Sequence, residues 1–301
     1  MQKPVGVGLG EVLWDMLPDE HILGGAPANF AYHFQTLGGL GFVVSQVGDD
    51  ALGREAVALL QKRGLDVSRI SVDAVHQTGR VEVVMAADGS ASYIFPDEVA
   101  WDFIPPVPDD DPLPRRAACV CFGSLCQRSE QSRHAVQNFL LQVAPDTLRV
   151  FDCNLRQQFY TREVLYSSLQ LADVFKVNDE ELLILAPMLG VADAPLTADA
   201  RREVLSRFVT QFDLGVAALT CGANGSVVMT PDQCFERKGD ILDVADTIGA
   251  GDSFTAALAL GLLCDMPVGL VHEHAAKVAA YVCTKRGAMP RLPDELRLLP
   301  R

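Results

Sequence analysis

Ala117-Ala-Cys-Val-Cys-Phe122, Ser129-Glu-Gln-Ser-Arg-His-Ala-Val-Gln-Asn-Phe-Leu-Leu-Gln-Val143 and Leu148-Arg-Val-Phe-Asp152 follow one another with short connections. The outer two are apolar runs of strand length, and the middle one has the pattern of an amphipathic helix. Strand, helix and strand in that order predict a βαβ unit with parallel strands. The same rhythm extends in both directions. Upstream, Val5–Leu9 reads as a strand and Pro27–Leu37 as a helix with Phe30, Phe34 and Leu37 on one face. Gly41–Val47 follows as a strand, then Leu52–Arg63 as a helix that Gly64 is placed to end. Downstream, Val174–Val177 and Val216–Thr220 read as strands, and Glu180–Leu189, Ala198–Gln211, Gly251–Leu263 and Val271–Lys285 as helices. The expected fold class is α/β, a doubly wound, mostly parallel sheet with helices on both faces.

Residues 77–102 break the rhythm. Arg80-Val-Glu-Val-Val-Met-Ala86 and Ser90-Ala-Ser-Tyr-Ile-Phe95 flank Asp88-Gly89, a hairpin signal. Leu13–Leu23 is a second extra-strand segment. The two, at about 12–23 and 77–102, form either a small antiparallel flap on the sheet or a peripheral hairpin without a role. Ile104–Pro114, rich in Pro and Asp, reads as a loop or linker.

The 301 residues carry 25 Lys and Arg against 39 Asp and Glu, a net charge of −14. That excess of acid argues against nucleic acid as a partner, because phosphate contacts need clustered cations. With 49% hydrophobic residues the chain can form a substantial core. No run approaches the roughly 20 apolar residues of a membrane span. The apolar run after Met1 is too short for a signal peptide, so the expected location is cytoplasmic. Eight scattered cysteines without a CxxC pair read as reduced thiols.

Four motifs can carry chemistry. Asp246-Thr-Ile-Gly-Ala-Gly-Asp-Ser-Phe254 runs directly into an apolar helix. The free amides of Gly249, Ala250 and Gly251 at that helix start suit an anion such as a phosphoryl group. Asp252 in the same turn either stabilises the helix dipole or accepts a proton from an attacking hydroxyl. Leu23-Gly-Gly-Ala-Pro-Ala-Asn-Phe-Ala31 lets the backbone approach a ligand closely; Asn29 either caps the helix or meets a polyol. Phe151-Asp-Cys-Asn-Leu-Arg156 ends a strand, and Lys176-Val-Asn-Asp-Glu-Glu181 follows. Asn178 and Glu181, three apart, either hold hydrated Mg2+ or belong to a solvated helix start. Thr220-Cys-Gly-Ala-Asn-Gly225 is a glycine turn after a strand that could accommodate a nucleotide.

Other chemistries fall away. There is no GxxxxGK[ST] loop. Gly6-Val-Gly-Leu-Gly10 resembles a dinucleotide fingerprint, but Glu11 occupies the position of its third glycine, and no helix follows directly. His272-Glu-His274 lacks metal-protease spacing and reads as surface or partly buried, and Ser124 is in no GxSxG elbow.

The second and first motifs together resemble the ribokinase-like (PfkB-type) carbohydrate kinases, over essentially the whole chain. The resemblance implies a doubly wound domain with a small β lid, which the two extra-strand segments fit, and ATP and Mg2+ as cofactors. It implies that Asp252 is the catalytic base and that Gly249, Ala250 and Gly251 form the anion hole. Asn178 and Glu181 match the family's NxxE element for Mg2+ and phosphates, and Thr220, Gly222 and Gly225 its nucleotide-side turn. Asp15, with Gly24, Gly25 and Asn29, is implied to hold sugar hydroxyls. Asp152-Cys-Asn-Leu-Arg156 resembles the D-x-N-x-R element of fructokinases and 2-keto-3-deoxygluconate kinases, in which Arg156 contacts phosphate or substrate. Ile248 stands where many members have Thr near a monovalent cation, so Asp246 marks a K+ site that a backbone carbonyl would complete. The stretch His272–Lys277 supplies no evident Asn for adenine. Lids of this kind can pair between subunits, which implies a homodimer through the lid as one arrangement.

The expected activity is ATP-dependent phosphorylation of the primary hydroxyl of fructose. The alternatives are a 2-keto-3-deoxygluconate, pentose or nucleoside kinase, or a sugar-binding regulator without catalysis. An acid sugar calls for Arg156 or Arg80, and a nucleoside for stacking on Phe30, Tyr93, Phe95 or Trp101.

Overall fold

Val5–Leu9 (β1) is five residues long and wholly buried, as a central strand covered on both faces must be. In the computed structural model, residues 3–17, 20–85, 91–193, 200–240 and 242–300 are described. After β1 come β2 (Leu13–Met16), β3 (His21–Gly24), α1 (Ala26–Thr36), β4 (Leu40–Gly48), α2 (Ala51–Lys62), β5 (Asp66–Asp73), β6 (Gly79–Met85) and β7 (Ala91–Ile94). Next are α3 (Leu113–Arg116), β8 (Cys119–Phe122), α4 (Glu130–Gln142), β9 (Leu148–Asp152), α5 (Arg162–Leu171), β10 (Val174–Asn178) and α6 (Asp179–Met188). The chain ends with α7 (Arg201–Gln211), β11 (Val216–Thr220), β12 (Ser226–Met229), β13 (Cys234–Arg237), α8 (Ala250–Leu263) and α9 (Val268–Cys283).

Nine strands form one sheet in the order β13-β12-β11-β10-β9-β8-β1-β4-β5. From β11 to β5 every pair is parallel; β12 and β13 are antiparallel additions. The chain winds from β1 outward to β4 and β5, then returns to β8 and winds the other way. The reversal at β1 and β8 is the switch point where open α/β sheets place ligands, beyond the carboxyl ends of the strands. Helices α1, α8 and α9 cover one face through Phe30, Phe34, Phe254, Leu258, Val271 and Val278. Helices α4 to α7 cover the other through Phe139, Leu165, Leu182, Leu185, Leu205 and Phe208. There the rings of Phe122, Phe151, Phe175 and Phe208 run in a row with centroids 5.4, 6.0 and 5.3 Å apart.

The small sheet has the order β3-β2-β6-β7. The expected hairpin is present, with β6 and β7 antiparallel; its Asp88-Gly89 turn lies outside the described residues. The flap is not wholly antiparallel, because β2 and β6 pair in parallel, Leu13 opposite Gly79. Both strands start at the body and run outward: β2 leaves the end of β1, and β6 follows Thr78, whose backbone and side chain donate to Asp50 at 2.8 and 2.7 Å. Trp14 and Leu23 root the sheet against Ala56 and Leu60 of α2. The stretch 95–102 returns to the body, where Trp101 is buried in the main core.

Sequence periodicity does not name β5, α5, β12 or β13. The start of the helix expected from Ala198 lies outside the described residues, and α7 begins at Arg201. Ile104–Pro114 is a loop held at both ends by buried Ile104 and Leu113, and the single turn α3 begins at its end. Its acids do not simply repel, because Asp111 pairs with Arg69 of β5.

Candidate active site

The carboxyl ends of five adjacent parallel strands set out the polar groups in a row. Glu11 lies beyond β1, Ser124 beyond β8, Asp152 and Arg156 at β9, Lys176 and Asn178 at β10, and Thr220 at β11. Asn178 and Thr220 are direct neighbours across β10 and β11. The α8 start enters over this row.

Gly249 precedes α8 with φ 76°, a left-handed conformation that glycine adopts without strain. A Cβ there would lie 2.6 Å from the Ala288 carbonyl oxygen. In the bend the Ala250 amide reaches the Thr247 carbonyl oxygen only at 3.3 Å, and a helix start of this kind presents its first-turn amides as an anion site requires. Asp252 stands in that turn, and its Oδ2 accepts a hydrogen bond from Asn29 Nδ2 at 2.7 Å. The first turns of α1 and α8 thus face each other, although 223 residues separate the pair. Asn29 does not cap its helix: the N-cap of α1 is Gly25, which uses no side chain. Burial first, then the Asp152 charge, pushes the Asp252 pKa up to about 6, against the Asn29 hydrogen bond and the charges of Lys176 and Arg156. Asp252 is therefore more than a dipole-stabilising surface acid.

Glu11 appears in the sequence reading only as the residue that spoils a dinucleotide fingerprint. In the structure it is a buried carboxylate at the switch point. Burial raises its pKa to about 7, opposed by its own backbone amide and by Arg156, and reinforced by Asp252. Among the described residues its Oε2 has no hydrogen-bond partner, and neither has the buried Oδ1 of Asn29. The available signal was its place, directly after the first strand. Asp15, on β2, is raised by burial to about 6, with Arg156 opposing and Asp246 adding. A Cβ on Gly24 would lie 2.9 Å from Asp15 Oδ2, and one on Gly25 would lie 2.4 Å from the Glu11 carbonyl oxygen. Arg156 is exposed, on a loop where Asn154 and Gln157 both have positive φ (44° and 47°). Such backbone persists where surroundings enforce it, and here it sets Arg156 against the charges of Glu11, Asp15 and Asp252.

A stability prediction follows from Glu11. Its folded-state pKa lies above the ordinary 4.5, so the stability its proton contributes is present below pH 4.5 and is lost as pH rises through about 7. Glu11→Gln is expected to be more stable than the parent by about 1–3 kcal/mol at pH 8 and equal to it near pH 4.5. Urea melts at both values check this; a gain that ignores pH would mean that charge burial is not the cause.

Further along the row, Asn178 and Glu181 form a reciprocal cap on α6. Asn178 Oδ1 accepts from the Glu181 amide at 2.8 Å, and Glu181 Oε2 accepts from the Asn178 amide at 2.8 Å. Glu181 Oε1 accepts from the Leu155 amide at 2.8 Å. Glu181 is buried, unlike a solvated helix start, and burial raises its pKa against Lys176 and the Asn178 amide. Each of its oxygens keeps a further lone pair, which fits water-mediated contact with Mg2+, a cation that retains several waters. Among the described residues no three His, Cys, Asp or Glu cluster as a metal cage. Gly222 and Gly225 complete the turn after Thr220, where the Cys221 amide donates to the Gly225 carbonyl at 2.8 Å. Asp246 braces the glycine bend, accepting from the amides of Ile248 and Gly287, both at 3.0 Å.

A groove of about 830 Å3 lies near that turn, lined by Arg201, Arg202, Arg237, Leu219, Val227 and Met229. Leu219, Val227 and Met229 belong to the α7 face, so the sheet separates the groove from Asp252. Its arginines pair with Asp179, Glu236, Asp240 and Glu273.

Several expected groups are elsewhere. Phe30 and Trp101 are sealed in the cores, and Phe95 packs edge-on against Phe159 at 6.0 Å, so none is set out as a stacking platform. The Tyr93 side chain lies outside the described residues. Arg80 is exposed on β6. His272 is fully buried, 2.7 Å from Ser226 Oγ, because α9 packs that face against β12. Among the described residues all eight cysteines are free; four are buried and Cys234 is exposed.

The sheet, the lid and the glycine bend define a sugar kinase of the ribokinase-like fold, and the comparisons agree. Residues 19–295 match the pfkB family of carbohydrate kinases, and the chain belongs to that family. It is similar to fructokinase-1 of Oryza sativa subsp. japonica, 30% identical over 292 residues, covering 92% of this chain and 87% of that one. It is also similar to a fructokinase of Escherichia coli, 28% identical over 302 residues and 95% of each chain. A sugar kinase of Pyrococcus horikoshii, crystallised in complex with ATP, superposes with a TM-score of 0.77 at 28% identity, covering 95% of this chain and 94% of that one. Among the described residues no helix is long and apolar enough to cross a membrane.

Proposed function

We propose that the protein transfers the γ-phosphoryl group of ATP to the primary hydroxyl of a neutral ketose, with fructose as the substrate. The observation that carries this is the placement of Asp252: one oxygen is held by Asn29 on the sugar side, and its own backbone turn forms the phosphoryl side. Asp15, Gly24, Gly25, Asn29 and Arg156 surround the sugar, and the Glu11 and Asn29 oxygens without a partner among the described residues accept from its hydroxyls. Glu11, protonated in part near pH 7, is able to donate. The lid sheet covers the site and excludes water.

Thr220, Gly222 and Gly225 hold the nucleotide, and Asn178 and Glu181 orient its phosphates. Mg2+, when bound, neutralises charge on the terminal phosphates. The amides of Gly249, Ala250 and Gly251 stabilise the migrating phosphoryl group. The sugar hydroxyl attacks phosphorus in line, the bond to ADP breaks, and the hydroxyl proton passes to Asp252. The transition state is loose, so proton removal need not be early and a carboxylate suffices as base. The Asp246 carboxylate implied for K+ already holds two amides, and the ion is assigned no step. ATP supply and free thiols suit a cytoplasmic setting, and pairing through the lid remains part of this proposal.

Charge favours a neutral sugar over a sugar acid. Glu11, Asp15 and Asp252 all draw on Arg156, and Lys176 is already paired with Asp152, which leaves little attraction for a substrate carboxylate. A coupled assay of ADP release over fructose, 2-keto-3-deoxygluconate, ribose and adenosine tests the reading. Fructose is expected to give the highest kcat/KM; turnover of another sugar at least about tenfold higher moves the substrate to that compound. Silence with every sugar alongside measurable sugar binding would favour the non-catalytic regulator. Because Asp252 must be unprotonated, kcat is expected to rise with pH through about 6 and then level; a rate flat from pH 5 to 8 would oppose the base assignment.

A further inference from the structure

Beneath the glycine bend lies a buried ion pair that the reaction scheme above does not use. Lys176 Nζ donates to Asp152 Oδ1 at 3.0 Å, and both side chains are buried. The other oxygen, Oδ2, accepts from Thr255 Oγ1 at 2.7 Å. Thr255 stands one turn into α8, and its hydroxyl also lies 3.0 Å from the Gly251 carbonyl oxygen. A Cβ on Gly251 would come within 2.9 Å of Lys176 Nζ, so the ammonium abuts the anion-binding turn from below. Buried ion pairs add little to stability compared with apolar residues of the same volume. Their place here, tied to the one helix start that carries the base, calls for another reason.

We propose that Lys176 and Asp152 are positioning residues: the pair fastens the first turn of α8 to β9 and β10 and sets the charge against which Asp252 takes up its proton. This rests on the reading of Asp252 as base. The groups around Asp252 are Asn29 from α1, Glu11 beyond β1, Asp152 on β9, Arg156 in the loop after β9 and Lys176 on β10. The Asp152 carboxylate makes Asp252 a stronger base, while Lys176 and Arg156 make it a weaker one. Burial disfavours the Lys176 ammonium, but Asp152, Glu181 and Asp252 outweigh it and keep the group charged. The two charges therefore act on Asp252 in opposite senses, while the hydrogen bonds from Asp152 to Lys176 and Thr255 hold the turn in place.

Asp152→Asn keeps the shape and removes one charge. Its acid limb of kcat, at saturating fructose and ATP, is expected to move about one pH unit lower. Asp152→Asn combined with Lys176→Met removes both charges and strands neither. Its limb is expected within about half a unit of the parent, with kcat lowered about tenfold or more and the sugar KM held within about twofold, because the turn is untied while the sugar contacts remain. A limb that stays in place in Asp152→Asn, with only kcat or thermal stability reduced, would make the pair merely structural and overturn the proposal. Parent-like kcat in the double variant would do the same, and it reads out even where the single variant does not fold. Failure of the base assignment is seen separately, as activity in Asp252→Asn.

Discussion

Asp252→Asn is expected to bind sugar and ATP with near-parent affinity and to lose kcat by about two orders of magnitude or more, the usual range for removing a positioned general base. The substitution is nearly isosteric, and the new amide oxygen can still accept from Asn29 Nδ2, so the contact between α1 and α8 survives. It also removes a carboxylate whose pKa burial has pushed up to about 6, so folding should be no weaker at pH 8. The two readouts separate. Isothermal titration with fructose reports the pocket, and a single-turnover assay reports the chemistry. Near-parent turnover would remove Asp252 from the mechanism, whatever the binding data show.

Gly249→Ala is expected to be almost as damaging, by a different route. The residue has φ 76°, and the new methyl group would sit 2.6 Å from the Ala288 carbonyl oxygen. Left-handed backbone in a non-glycine residue costs about 1–3 kcal/mol, and the clash adds to that or is relieved by opening the bend. Opening it swings the amides of Ala250 and Gly251 off the phosphoryl position. Loss of one such donor commonly costs about 100- to 1000-fold in kcat. The expected result is therefore a kcat loss of about 100-fold together with a lower melting temperature, while the sugar KM changes little. A variant that is destabilised yet fully active would show that the bend does not serve the transition state.

The sequence and the structure agree where information is local. The first turns of α1 and α8 are written in glycines and Asn or Asp beside strong apolar runs, and β1, β8, β9, β10 and β11 are short apolar segments that only a covered sheet explains. Legibility fails where partners decide. β5, Asp-Val-Ser-Arg-Ile-Ser-Val-Asp, is polar at five of its eight positions and becomes a strand because β4 offers it an edge. β13 is held in the same way by β12. Glu11 looked like a failed fingerprint because no spacing rule marks a single acid after a strand; only the winding of the sheet puts it at the switch point. The pairing of Asn29 with Asp252, and of Lys176 with Thr255 through Asp152, spans distances in sequence that no local pattern encodes.

The outermost strand of the large sheet has a bearing on how the molecule behaves in a crowded solution. β13 is four residues long and ends in Glu236 and Arg237, each engaged by an opposite charge from a helix, Arg202 on α7 and Glu273 on α9. A short rim carrying satisfied charges is a poor template for a strand from another molecule. The free amides and carbonyls along that rim are thus shielded from adhesive neighbours, and self-association by edge-to-edge pairing is disfavoured there without any cost to the polar row several strands away.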